Sequence, residues 1–93
     1  MERYLFIVSG KVQGVFYRKA IQQMVSFGQI RGYIKNRKDA TVEVVADLYE
    51  DQLEDFLDIL RNGSPSSRVD NISWEIIEYN EDELPYDGFE IRY

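Results

Sequence analysis

Apolar residues recur along this chain with two different periods, and the places where one period gives way to the other outline its elements. Tyr4-Leu5-Phe6-Ile7-Val8 is an unbroken aromatic and β-branched run ending at Ser9-Gly10, the pattern of a strand covered on both faces and therefore central in its sheet. After a loop through Gly14, the residues Ala20, Ile21, Met24 and Val25 recur at helical spacing, and Gly28 stands where a left-handed C-terminal cap would, predicting a first helix over about 17–28. Ile30 to Lys35 and Thr41 to Ala46 flank the polar turn Asn36-Arg37-Lys38-Asp39, with Val42, Val44 and Ala46 alternating against Glu43 and Val45, which reads as a hairpin. Leu53, Phe56, Leu57 and Leu60 fall at i, i+3, i+4 and i+7, with Asp47 and Glu50 as a capping-box-like start and Asn62-Gly63 as the stop; this is a second amphipathic helix. Two more half-buried strands follow from Ile72, Trp74 and Ile76, and from Phe89, Ile91 and Tyr93, each set alternating with polar residues.

The order is β-α-β-β-α-β with a last strand. It predicts an α+β sandwich of the ferredoxin-like kind, an antiparallel sheet of four to five strands with both helices on one face. At 93 residues, with no repeat and no linker longer than Asn62-Gly63-Ser64-Pro65-Ser66-Ser67, a single domain spanning 1–93 is expected. Such an architecture is shared by many activities and does not settle what the chain does.

Composition narrows the chemistry. Zero cysteines exclude thiol catalysis, redox motifs and thiolate metal sites, and zero histidines remove the commonest general base and metal ligand. Glu81-Asp82-Glu83 lacks the spacing of a calcium loop and reads as solvated, so no metal is expected. The opening apolar run of five residues is too short for export or a membrane span; the expectation is a cytoplasmic protein without a membrane partner. The net charge of −6 is unevenly distributed: residues 1–38 carry eight Lys/Arg and one acid, residues 39–93 three and sixteen. An anion would bind in the first part.

The stretch Gly10-Lys11-Val12-Gln13-Gly14-Val15-Phe16-Tyr17-Arg18 leads from a buried strand into a helix. Main-chain N–H groups in a glycine-bearing loop can turn inward as a nest, a helix N-terminus presents unsatisfied donors at its positive end, and Arg18 adds a planar fork. The stretch does not have the spacing of a Walker A loop. Glycine in a strand-to-helix turn and an arginine at a helix start also have plain structural readings, and Asn36 has one as a turn former.

Taken together, Gly10-x-Val12-Gln13-Gly14-Val15-x-x-Arg18, then Gly32-Tyr33-Ile34-Lys35-Asn36 with Thr41-Val42-Glu43, then Gly63-Ser64-Pro65 with Val69-Asp70 and a closing Phe89-Glu90-Ile91-Arg92-Tyr93, resemble the acylphosphatases over nearly the whole chain. The resemblance implies hydrolysis of the carboxyl-phosphate bond of acyl phosphates without metal or cofactor. It implies that Arg18 grips the phosphate with the main-chain amides of Lys11, Val12, Gln13, Gly14 and Val15, and that Asn36 positions the attacking water. The partner would be a small-molecule acyl phosphate. Two positions depart from the pattern: Ala40 follows Asp39 where many members have glycine, and Asp47 stands where glycine is common. A positive φ at Ala40 would strain the turn by about 1 kcal/mol, touching stability more than chemistry.

Phe16, Tyr17 and Tyr33 are read as core rather than as a wall for an acyl group; Met24 and Leu57 likewise belong to core stripes. The rival is an RNA-recognition module, suggested by Arg31-Gly32-Tyr33-Ile34. The residues that follow do not continue that signature, the segment reads as the second strand rather than the third, and the net charge opposes a nucleic-acid partner. Nothing in the sequence demands more than a monomer.

Overall fold

The structure, a computed structural model, describes residues 1–26, 29–78, 86 and 88–93. The elements run β1 (Glu2–Lys11), α1 (Tyr17–Ser26), β2 (Arg31–Asn36), β3 (Val42–Leu48), α2 (Leu53–Asn62), β4 (Arg68–Ile77) and β5 (Phe89–Arg92), with one 3₁₀ turn at Glu50–Gln52 before α2. The five strands form one sheet in the order β4-β1-β3-β2-β5. β1, β3, β2 and β4 pair antiparallel, as expected, whereas β5 runs parallel to β2. The sheet is therefore mixed at one edge.

β1 is internal, flanked by β3 and β4, as expected, but its two faces are not equally covered: Leu5 and Ile7, on the face away from the helices, are only half-buried, so the unbroken apolar run overstated the cover. Its even-numbered residues Tyr4, Phe6 and Val8 join Ile34, Val42, Val44 and Ala46 beneath Ile21 and Val25 of α1 and Phe56, Leu57 and Leu60 of α2. Both helices thus cover the same face. Phe56 links the layers: its ring centroid lies 5.0 Å from Phe6 and 6.5 Å from Phe89, within the range in which aromatic pairs gain beyond simple burial.

Some expected details shift. Asp47 does not cap α2; it lies within β3, buried against Arg3. The chain enters α2 instead through the 3₁₀ turn, where the Tyr49 N–H donates to the Gln52 side chain. Asn62-Gly63 does stop that helix, with Gly63 at φ 54° and its N–H returned to the Ile59 carbonyl. On α1, Ile21 and Val25 are buried but Met24 is 39% exposed, so the core stripe is narrower than its spacing suggested; the cap expected at Gly28 lies outside the described residues. Trp74 and Ile76 are about half exposed because β4 is an edge strand.

Candidate anion site at one end of the sheet

The strand registers bring three chain segments to one end of the sheet. Val8 pairs with Val42, and Val42 with Asn36, so the loop after β1 and the end of β2 stand side by side. β5 runs parallel to β2 with Arg92 against Lys35. Asn36 has the same strand parity as Ile34, a core residue, so it faces the helix side, where α1 begins.

The loop from Val12 to Phe16 is shaped by its backbone. Gly10 has φ 128° beside the irregularity in β1, and a Cβ there would lie 2.1 Å from the Arg68 carbonyl oxygen. No other residue fits. Gly14 at φ 72° and Phe16 at φ 61° turn the chain left-handed, and among the described residues no N–H from Val12 to Phe16 donates to a main-chain carbonyl. Open amides in a loop of alternating hand are the makings of an anion nest. Below the loop, Val12 and Val15 are anchored in the core. The Ser64 hydroxyl donates to the Val15 carbonyl at 2.6 Å, and the Tyr17 hydroxyl to the Leu60 carbonyl at 2.7 Å. Burial pushes the Tyr17 phenol well above its ordinary range, so it acts as a fixed neutral strut.

Arg18 lies in the first turn of α1, where the helix dipole favours an anion. Its Nη1 donates to the Arg92 carbonyl at 3.0 Å, and its guanidinium sits 4.8 Å from the centre of the Tyr93 ring. Both partners are neutral. The Asn36 side-chain oxygen is buried and, among the described residues, meets no donor, which is uncommon enough for a buried polar atom to call for a cause. An anion at this end would meet open amides, a helix start and a guanidinium that, among the described residues, pairs with no carboxylate. A water there would find an unused acceptor in Asn36.

The turn that follows Asn36 is closed by Arg37 N–H to Thr41 carbonyl at 2.9 Å and Ala40 N–H to Arg37 carbonyl at 3.3 Å. Asp39 accepts from the main chain and hydroxyl of Thr41, and these bonds hold its carboxyl below the usual aspartate range. Ala40 does adopt φ 72°, the strained geometry anticipated from its departure from glycine. Gln13 reaches across from the loop and donates through Nε2 to the Arg37 and Thr41 carbonyls, each at 2.9 Å.

Of the predicted residues, Lys11 is exposed at the end of β1, Val12 and Val15 are buried, Gln13 is half-buried and Gly14 exposed. Tyr17 is core, as read; Phe16 is not, being 79% exposed, because its left-handed backbone turns it out of the helix face. Tyr33 lies half-buried on the sheet face away from the helices, donating to Glu43 at 2.7 Å. Three contributors were not foreseen: the Gln13 side chain, Ser64, and the Arg92-Tyr93 pair that holds Arg18. The Arg18 contacts depend on the parallel seating of β5, for which the local sequence carries no signal.

Comparison with known proteins shows the family of the whole chain. The acylphosphatase family model matches residues 4–91. An acylphosphatase of Bacillus subtilis is 41% identical over 73 residues, covering 78% of this chain and 80% of its own length. The crystal structure of acylphosphatase from B. subtilis superposes with a TM-score of 0.87 at 36% identity, with all of both chains covered. The structure of an acylphosphatase from Coxiella burnetii gives 0.83 at 33% identity, with 98% of this chain and 92% of that one covered. With fold, loop and family model in agreement over nearly its whole length, this chain belongs to the acylphosphatase family of hydrolases.

Proposed function

We propose that the chain, as one domain over 1–93, hydrolyses the carboxyl-phosphate bond of small acyl phosphates at the sheet end just described. The carrying observation is the meeting of open loop amides, an arginine held by a carbonyl and a ring, and a buried asparagine oxygen that meets no donor among the described residues. The amides of the Lys11–Val15 loop and Arg18 hold the phosphoryl oxygens, and Asn36 accepts a hydrogen bond from the water that attacks in line. The water oxygen bonds to phosphorus as the bond from phosphorus to the acyl oxygen breaks. The acyl group leaves as carboxylate, and the water proton passes to a phosphate oxygen.

The chemistry suits a protein without histidine or cysteine. A carboxylate leaves without being protonated, so no strong general acid is needed; orientation and charge stabilisation dominate phosphoryl transfer. Nothing in these steps requires a metal or cofactor. No helix among the described residues is long and apolar enough to cross a membrane, and we take the protein to act as a cytoplasmic monomer, without a nucleic-acid partner.

The test is phosphate release from a synthetic aromatic acyl phosphate by the purified protein in EDTA. Wild type should turn over, and Arg18→Ala and Asn36→Ala should each lose about 10²–10³-fold in rate, the usual loss when one preorganised transition-state donor or positioning group is removed. A folded wild type without turnover overturns the activity. Turnover that survives either substitution overturns that residue's role.

A further inference from the structure

Gln13 belongs to the loop that carries the open amides, yet its side chain points away from that task. Its Nε2 donates to the Arg37 and Thr41 carbonyls at 2.9 Å each, so both hydrogens of one amide nitrogen are engaged. Those two carbonyls belong to the residues that close the turn following Asn36. Thr41 carbonyl oxygen receives the Arg37 N–H as well, which uses both of its lone pairs. The amide of Gln13 thus bridges the two segments of the site: the loop after β1 and the turn after β2, which are 24 and 28 positions away in the chain.

We propose that Gln13 is a positioning residue, a clamp that fixes the separation between the phosphate loop and Asn36. The turn needs such a restraint. Its residues Arg37 to Ala40 are exposed, Ala40 holds a strained φ of 72°, and Asn36 is the last residue of β2, so no further strand pairing holds the chain beyond it. In-line attack tolerates little error in the position of water relative to phosphorus; a displacement of about 1 Å can lower a rate by about 100-fold. Only a side chain with two hydrogens on one terminal nitrogen and the reach of glutamine makes both bonds. Glutamate lacks the donor, and asparagine is one methylene shorter.

This inference rests on the reading that Asn36 positions water, and the experiment separates the two. Gln13→Met keeps the main-chain amide and side-chain length while removing both donors. It should lower kcat by about 10–100-fold, while competitive inhibition by inorganic phosphate, which reads the loop and Arg18, stays within about twofold, a change of only about 0.4 kcal/mol. In the Asn36→Ala background, where there is no water-positioning group left to align, Gln13→Met should cause little further loss; the non-additivity is the signature of one residue acting through another. Gln13→Glu should be no better than Gln13→Met in kcat.

A Gln13→Met enzyme with wild-type kcat, beside an Asn36→Ala enzyme that is nearly inactive, overturns the clamp alone. Losses that multiply in the double variant, or a phosphate inhibition constant that rises in step with the fall in kcat, overturn it by showing a general loosening of the loop. If Asn36→Ala retains full activity, the water-positioning reading fails, and the clamp as a determinant of rate fails with it.

Discussion

Two arginines are held in opposite ways at two places in this molecule. Arg3, on the sheet face away from the helices, is 2% exposed and grips Asp47 with two prongs, Nε to Oδ1 at 2.8 Å and Nη2 to Oδ2 at 3.2 Å. The Tyr86 ring lies 4.6 Å from its guanidinium. Arg18 is half-buried and is held by a carbonyl and an aromatic ring. At Arg3 the charge is neutralised where it is buried, and the pair serves packing. At Arg18 the guanidinium is fixed in place but, among the described residues, no carboxylate cancels its charge, which suits it to an incoming anion. What surrounds an arginine, more than how buried it is, separates the two roles.

The comparison can be broken most forcefully at Arg3. Arg3→Ala leaves Asp47 buried without its partner and should destabilise the fold by about 3–5 kcal/mol, read from urea unfolding, while the remaining folded protein keeps its rate per molecule. Replacing both partners by apolar residues, Arg3→Met with Asp47→Leu, should recover most of that loss, since a buried ion pair exchanged for packed hydrophobic groups is often neutral or better. A fall in intrinsic rate at Arg3→Ala would show that the two regions are coupled.

A smaller effect is expected at Ala40. Ala40→Gly relieves a positive φ and should raise stability by about 1 kcal/mol with kcat unchanged. A lower kcat there would mean that strain in the turn helps seat Asn36. The smallest expected effect is at Tyr93, which is 98% exposed. Tyr93→Leu should leave the unfolding midpoint nearly unmoved but raise the phosphate inhibition constant two- to fivefold, the worth of an exposed cation–π contact at about 0.5–1 kcal/mol. If stability falls more than phosphate binding does, Tyr93 belongs with the packing role of Arg3.

What could be read from the sequence follows a physical division. β1, α2 and the loop from Gly10 to Arg18 are dictated by nearby residues: an unbroken apolar run, though one whose Leu5 and Ile7 are only half-buried, a stripe at helical spacing, and glycines that take positive φ. The strain at Ala40 was anticipated only through the resemblance, which puts glycine at that place in the turn; alanine by itself carries no signal of a positive φ. Asp47 was misread as part of a helix start because an acid near a helix most often caps it, and its partner Arg3 is 44 residues away. Met24 was placed deeper in the core than it lies because periodicity gives the direction of a side chain but not how far the opposing layer extends. The hold of Arg92 and Tyr93 on Arg18 depends on which strand edge the final segment joins, a choice made by the whole sheet.

The bond from Arg18 to the Arg92 carbonyl spans 74 positions of the chain, and this has a consequence for the order of folding events. The loop and α1 follow β1 directly, but the seat of the guanidinium exists only once β5 has found β2. Contacts across long separations carry the loop-closure entropy of everything between them and tend to form late. During refolding, secondary structure and much of the core should therefore be in place while Arg18 still swings free, and competence for the anion should be among the last properties the molecule acquires.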